Sequence, residues 1–137
     1  MLQKLLELFV ENDCKLLIKY DGERKINKYT IRLLYNDIKC SSLGKDTDEP
    51  CALLKYIFKD NNYFTVQEIV DFFSNTINIF IEELKSKFGN DTVISFLLEE
   101  KEQIVTYLLH IQTIEDTKHI SGTDLKKMVE LLLLSES

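Results

Sequence analysis

Asp46, Asp48 and Glu49 crowd the stretch KDTDEPC, residues 45–51, beside the only proline of the chain. Carboxylates at this density raise the question of a hard cation. A calcium loop of the helix–loop–helix kind needs a further oxygen ligand at position five, glycine at six and glutamate at twelve. Counted from Asp46, those places hold Pro50, Cys51 and Ile57, so the pattern fails. Two carboxylates one residue apart hold magnesium only with acids from elsewhere, and no second motif supplies them. The same residues suit a helix start. Thr47 or Asp48 is expected to cap it, Pro50 falls in the first turn where a missing N–H costs little, and the acids face the positive end of the helix dipole.

Other chemistry finds little support. The two histidines, His110 and His119, belong to no HExxH motif and have no cysteine or carboxylate at zinc spacing. His110 is expected at the edge of an apolar helical stripe and His119 in a loop. There is no nucleophile elbow, P-loop or dinucleotide fingerprint, and four glycines leave little material for a phosphate cradle. Cys14, Cys40 and Cys51 form no CxxC pair, and their odd count reads as reduced, mostly buried thiols. The expectation is a protein without catalytic residues, metal or cofactor.

Hydropathy periods give the elements. Leu2, Leu5, Leu6, Phe9 and Val10 recur at helical spacing, and then the period changes to two. In CKLLIKY, Cys14, Leu16, Ile18 and Tyr20 share one face; in YTIRLLY, Tyr29, Ile31, Leu33 and Tyr35 do. With Asp21-Gly22 between them, the two runs read as an antiparallel hairpin, and DIKCSSLG could add a third strand. A short helix follows in EPCALLKYIFKD. The next begins at a capping box, Thr65 and Glu68, and runs to Gly89. Residues 92–112 fit either a helix or two strands turning at EEKEQ; their Glu, Lys, Gln and Leu content favours helix. A last helix, capped by Thr123 or Ser121, carries four consecutive leucines. The expected fold is α+β in a single domain, 1–137: a helix and a two- or three-stranded antiparallel sheet over 1–43, then about four helices over 44–137.

Charge narrows the partner. The chain carries 17 Lys and Arg against 23 Asp and Glu, a net −6, which disfavours a general nucleic-acid binder. Residues 1–35 hold seven bases and five acids (+2), whereas residues 36–137 hold ten and eighteen (−8). Lys15, Lys19, Lys28 and Arg32 suggest a basic hairpin face, the basis of an alternative RNA-contacting reading. The leucines near the C-terminus suggest, as another alternative, a regulatory module that dimerises. The opening MLQKLLELFVEND is interrupted by Glu7 and Glu11, which argues against a signal peptide, and no run reaches the ~20 apolar residues of a membrane span. A cytoplasmic, soluble protein is expected.

In overall character the chain resembles a bacterial immunity protein of the contact-dependent inhibition or polymorphic-toxin kind: small, acidic, poor in motifs, with a hairpin in front and helices behind. No residue motif carries the resemblance, so it transfers no functional residue. It implies a non-catalytic inhibitor that binds one protein partner, a basic toxin nuclease, and occludes its active site. The acids are the natural contacts, with Asp46, Asp48, Glu49, Glu99, Glu100 and Glu102 foremost. A negative surface speeds association with a basic partner.

Overall fold

The computed structural model describes residues 1–37 and 42–135. Among them a first helix, α1 (Leu2–Asn12), leads into strand β1 (Cys14–Asp21), followed by β2 (Tyr29–Tyr35) and β3 (Leu43–Thr47). Helix α2 spans Pro50–Ile57. Helix α3 runs over 66–88 and contains a π-helical turn, Phe73–Ile77. Strands β4 (Val93–Lys101), β5 (Ile104–Gln112) and β6 (Thr117–Gly122) come next, and helix α4 (Leu125–Leu134) closes the chain. All six strands form one antiparallel sheet in the order β3-β2-β1-β4-β5-β6.

The α+β class stands, but the expected small sheet and cluster of four helices do not. Residues 93–112 are a hairpin, with Lys101 paired to Ile104 around Glu102 and Gln103. Both turn residues have positive φ, 53° and 65°, as a two-residue turn matched to strand twist requires. Helix propensity lost because alternation buries Ile94, Phe96 and Leu98 on one strand and Val105, Tyr107, Leu109 and Ile111 on the next. The loop expected around His119 is the edge strand β6. Of the stretch expected to form a third strand, residues 38–41 lie outside the described residues, as does Cys40; β3 begins at Leu43.

All helices meet one side of the sheet. Leu5, Leu8, Phe9, Leu54, Ile69, Ile81, Leu84, Val129 and Leu132 join a single core with the inward residues of the strands, among them Leu16, Ile18, Ile31, Phe96 and Leu109. Helix α3 shows how a sequence repeat is accommodated. Ile69, Phe73, Ile77 and Ile81 are all buried at a strict spacing of four. In a 3.6-residue helix that spacing drifts by about 40° per step. The wider π turn absorbs the drift and keeps the row on the core.

The capping box at the start of α3 is present as expected: Thr65 accepts from the Glu68 N–H, and Glu68 accepts from the Thr65 N–H. Lys4 of α1 adds an ion pair to Glu68 at 2.7 Å. The Lys4 bond first, and the Thr65 backbone bond second, bring the Glu68 carboxyl from its ordinary 4.5 down to about 2. The folded pKa lies below the unfolded one, so the stabilisation is complete above about pH 4.5 and is lost as pH falls toward 2. Acid titration of unfolding should therefore show a shallower loss of stability across this window in Glu68→Gln than in the wild type. Equal slopes would remove this role.

Helix α2 begins differently from expectation. Pro50 is its first residue, but the cap position is Glu49, whose side chain makes no capping bond, rather than Thr47 or Asp48. At α4 the cap is Asp124, which accepts from the Lys127 N–H, not Thr123 or Ser121. Among the described residues no helix is long and apolar enough to cross a membrane.

Candidate partner-binding surface

The six acids expected to meet a partner fall into two separate groups. Asp46 lies on edge strand β3 and Asp48 and Glu49 just after it. Glu99, Glu100 and Glu102 lie at the β4–β5 turn. Strands β3 and β4 are three intervals apart, about 14 Å at the usual strand spacing. The register also puts the groups at opposite ends of the sheet. Asp46 pairs with Thr30, which pairs with Lys19 near the end of β1, whereas Glu99 lies beyond the Leu16–Leu98 pair near its start.

Most of these carboxylates also hold local structure. Thr30 donates its hydroxyl to Asp46 at 2.6 Å, and the guanidinium groups of Arg24 and Arg32 stand 3.4 and 4.0 Å away. The Thr30 bond first, then the two charges, hold the Asp46 carboxyl below its ordinary range against the opposing effect of burial. Asp48 accepts from the Lys28 N–H at 3.0 Å and ties the β1–β2 loop to β3. Backbone donors from Asn27 and Lys28 hold its pKa down. Glu100 accepts from the Gln103 N–H across the hairpin turn, and Glu99 pairs with Lys101 at 3.4 Å. Glu49 borders a cleft of about 400 Å³ between β3 and α2, with Lys45, Leu53 and Tyr56 in its lining.

Two other expected features are placed as follows. Lys15, Lys19 and Arg32 do share the sheet face away from the core, while Lys28 lies outside the strands. Tyr20 and Tyr29 point to the other side, edge to face at 5.5 Å, so the basic face has no stacking platform from them. In α4, Leu132 is 6% exposed and belongs to the core, whereas Leu131 and Leu134 are exposed. A charge at Leu132 would therefore disturb folding before it reported on dimerisation.

The more informative feature was not expected. Each of the four central strands contains a leucine doublet: Leu16-Leu17, Leu33-Leu34, Leu97-Leu98 and Leu108-Leu109. Because side chains alternate across a strand, one leucine of each doublet enters the core and its neighbour faces away from it. Leu16, Leu33, Leu98 and Leu109 are the buried members. The outward members come together. Leu17 pairs with Leu97, which pairs with Leu108, making a row of three, and Leu34 lies diagonal to Leu17 on β2. Leu108 is 37% exposed, and Ile104, on the same face of β5, is 52% exposed. Leu17, Leu34 and Leu97 are half-buried, and none of these outward leucines belongs to the core cluster; Ile104 borders a cleft with Leu2 and Leu6 of α1.

An antiparallel sheet open to water on one side normally presents polar residues there. Here the centre of that side is apolar and its border polar. Arg32 and Ser121 end the leucine row, and beside it runs a second row, Asp46, Thr30, Lys19, Ser95, His110 and His119. Arg24 folds over this border, donating to Thr30 at 3.1 Å and pairing with Asp21 at 3.1 Å. An apolar centre within a mixed polar rim is the usual anatomy of a protein–protein contact. The doublets were the available signal in the sequence, since two adjacent leucines in an alternating strand must place one on each face.

Cys14 is buried, and burial first, with the Asp13 charge adding, pushes its thiol up to about 11. Among the described residues no three His, Cys, Asp or Glu side chains gather as a metal site. No protein-family model matches the chain, and neither a curated protein nor a solved structure shows detectable similarity to it.

Proposed function

We propose that the protein is a non-catalytic binding protein that inhibits one protein partner, in the manner of a bacterial immunity protein, and that it binds through the core-distal face of its sheet. The observation that supports this reading is the in-register row Leu17, Leu97 and Leu108, which among the described residues stands outside the helix-covered core. Burying such a row against a partner returns the hydrophobic free energy that folding leaves unused. The partner is a protein with an apolar patch and charges of both signs around it, to match Lys19, Arg32, Asp46 and Glu99 at the border. The net charge of −6 favours a basic toxin domain, because long-range attraction speeds encounter. Occlusion of that domain's active site would then need no chemistry from this chain.

The test is co-expression with the product of the reading frame immediately upstream of the gene. That product is expected to arrest growth, the protein to restore it, and Leu108→Glu to lose the rescue while remaining folded. Rescue by Leu108→Glu equal to that of the wild type would overturn the assigned surface. An upstream product that the wild-type protein neither binds nor neutralises would overturn the inhibitor reading.

A further inference from the structure

We propose that His110 and His119 together bind one divalent transition-metal ion as a two-imidazole site on the core-distal face of the sheet. The two residues are direct partners in the β5–β6 register, and both are exposed. Directly opposed side chains in an antiparallel pair have Cβ atoms about 4.5–5.5 Å apart. Imidazole nitrogens bind such ions at about 2.0–2.1 Å, so two rings rooted at that separation can converge on a single ion. The strand pairing fixes the two Cβ positions before the ion arrives, which reduces the ordering cost of chelation.

The surroundings suit a borderline ion. Imidazole is a ligand for zinc, copper and nickel, whereas calcium and magnesium need oxygen donors. Ser95 neighbours His110 on β4, while the flanking pairs are Leu108 with Ser121 and Gln112 with Thr117. None of these direct neighbours is charged, and the cation in the same row, Lys19, lies one strand beyond Ser95. The described residues contribute no third histidine, cysteine or carboxylate to a cluster. The ion would keep open positions for water, facing outward from the sheet. The inference does not depend on the inhibitor reading.

Calorimetric titration of the full chain with Ni²⁺ tests it, with Zn²⁺ as competitor. A chelate predicts one ion per chain and an affinity that falls by on the order of tenfold or more in either His110→Asn or His119→Asn, because the second imidazole acts at high effective concentration. Both side chains are exposed, and circular dichroism should find both variants folded. Unchanged affinity in either variant, or two equal and independent weak sites in the wild type, would overturn the proposal.

Discussion

Leu108→Glu is expected to weaken inhibition of the partner by about thirtyfold or more, equivalent to about 2 kcal/mol or above for a residue central to an interface. Its side chain is 37% exposed in the free protein, so a glutamate there can reach water and should leave the unfolding transition almost unmoved. In a complex the same carboxylate would sit against Leu97 and the partner's apolar patch, with its charge stripped of water. Binding and stability should therefore separate. The measurement is the dissociation constant of each variant beside its denaturation midpoint. A loss of binding that merely tracks a loss of stability would contradict this.

The second large effect lies twelve residues away in sequence, on the neighbouring strand. Phe96 is fully buried, next to Leu97 in the chain but on the opposite face of β4. It pairs with Ile18 on one side and Leu109 on the other, both buried, at the centre of the core. Phe96→Ala removes a large side chain where neighbours from two strands and the helical layer cannot all collapse. It should cost about 3–5 kcal/mol, a substantial fraction of the stability of a domain this size. Chemical denaturation would show a lower midpoint with a similar slope. If enough protein stays folded, partner affinity per folded molecule should be nearly unchanged. Phe96 and Leu108, on opposite faces of neighbouring strands, would thus answer to different properties of the protein.

That pair also explains what could be read in advance. Alternation in CKLLIKY and YTIRLLY gave the first hairpin and its inward residues, because turn chemistry at Asp21-Gly22 agrees with the period. Thr65 and Glu68 marked the start of α3, since their capping bonds are local. The β4–β5 hairpin was the less favoured of two readings because Glu102 and Gln103 occupy positions where glycine or asparagine would have signalled a turn. Their helix-forming neighbours then pointed the wrong way, and tertiary burial decided the outcome. Edge strand β6 was obscure for another reason. With Ile120 as its one apolar residue, it carries little of the pattern that marks a strand.

The residues of the proposed surface can be set beside those the sequence put forward. The acids Asp46, Asp48, Glu49, Glu99, Glu100 and Glu102 stood out by charge density, which says nothing about convergence in space. Sheet order separates them, and the bonds to Thr30, Lys28 and Gln103 give three of them local work. The leucine doublets also stood in the sequence, but Leu97-Leu98 and Leu108-Leu109 fell in the stretch whose composition favoured helix. Their meaning needed the strand register, since only pairing brings Leu17, Leu97 and Leu108 into one row.

Competing the two candidate surfaces in one binding assay tests the central claim most directly. The dissociation constant for the partner would be measured for the wild type, for Leu108→Glu and for the double reversal Glu49→Lys with Glu102→Lys. The leucine-row surface predicts about a thirtyfold or greater loss for Leu108→Glu, seen mainly in a faster dissociation. The charge reversals should alter the association rate and its salt dependence while changing the dissociation rate little. Wild-type affinity in Leu108→Glu, with binding lost in the charge-reversed protein, would contradict the account.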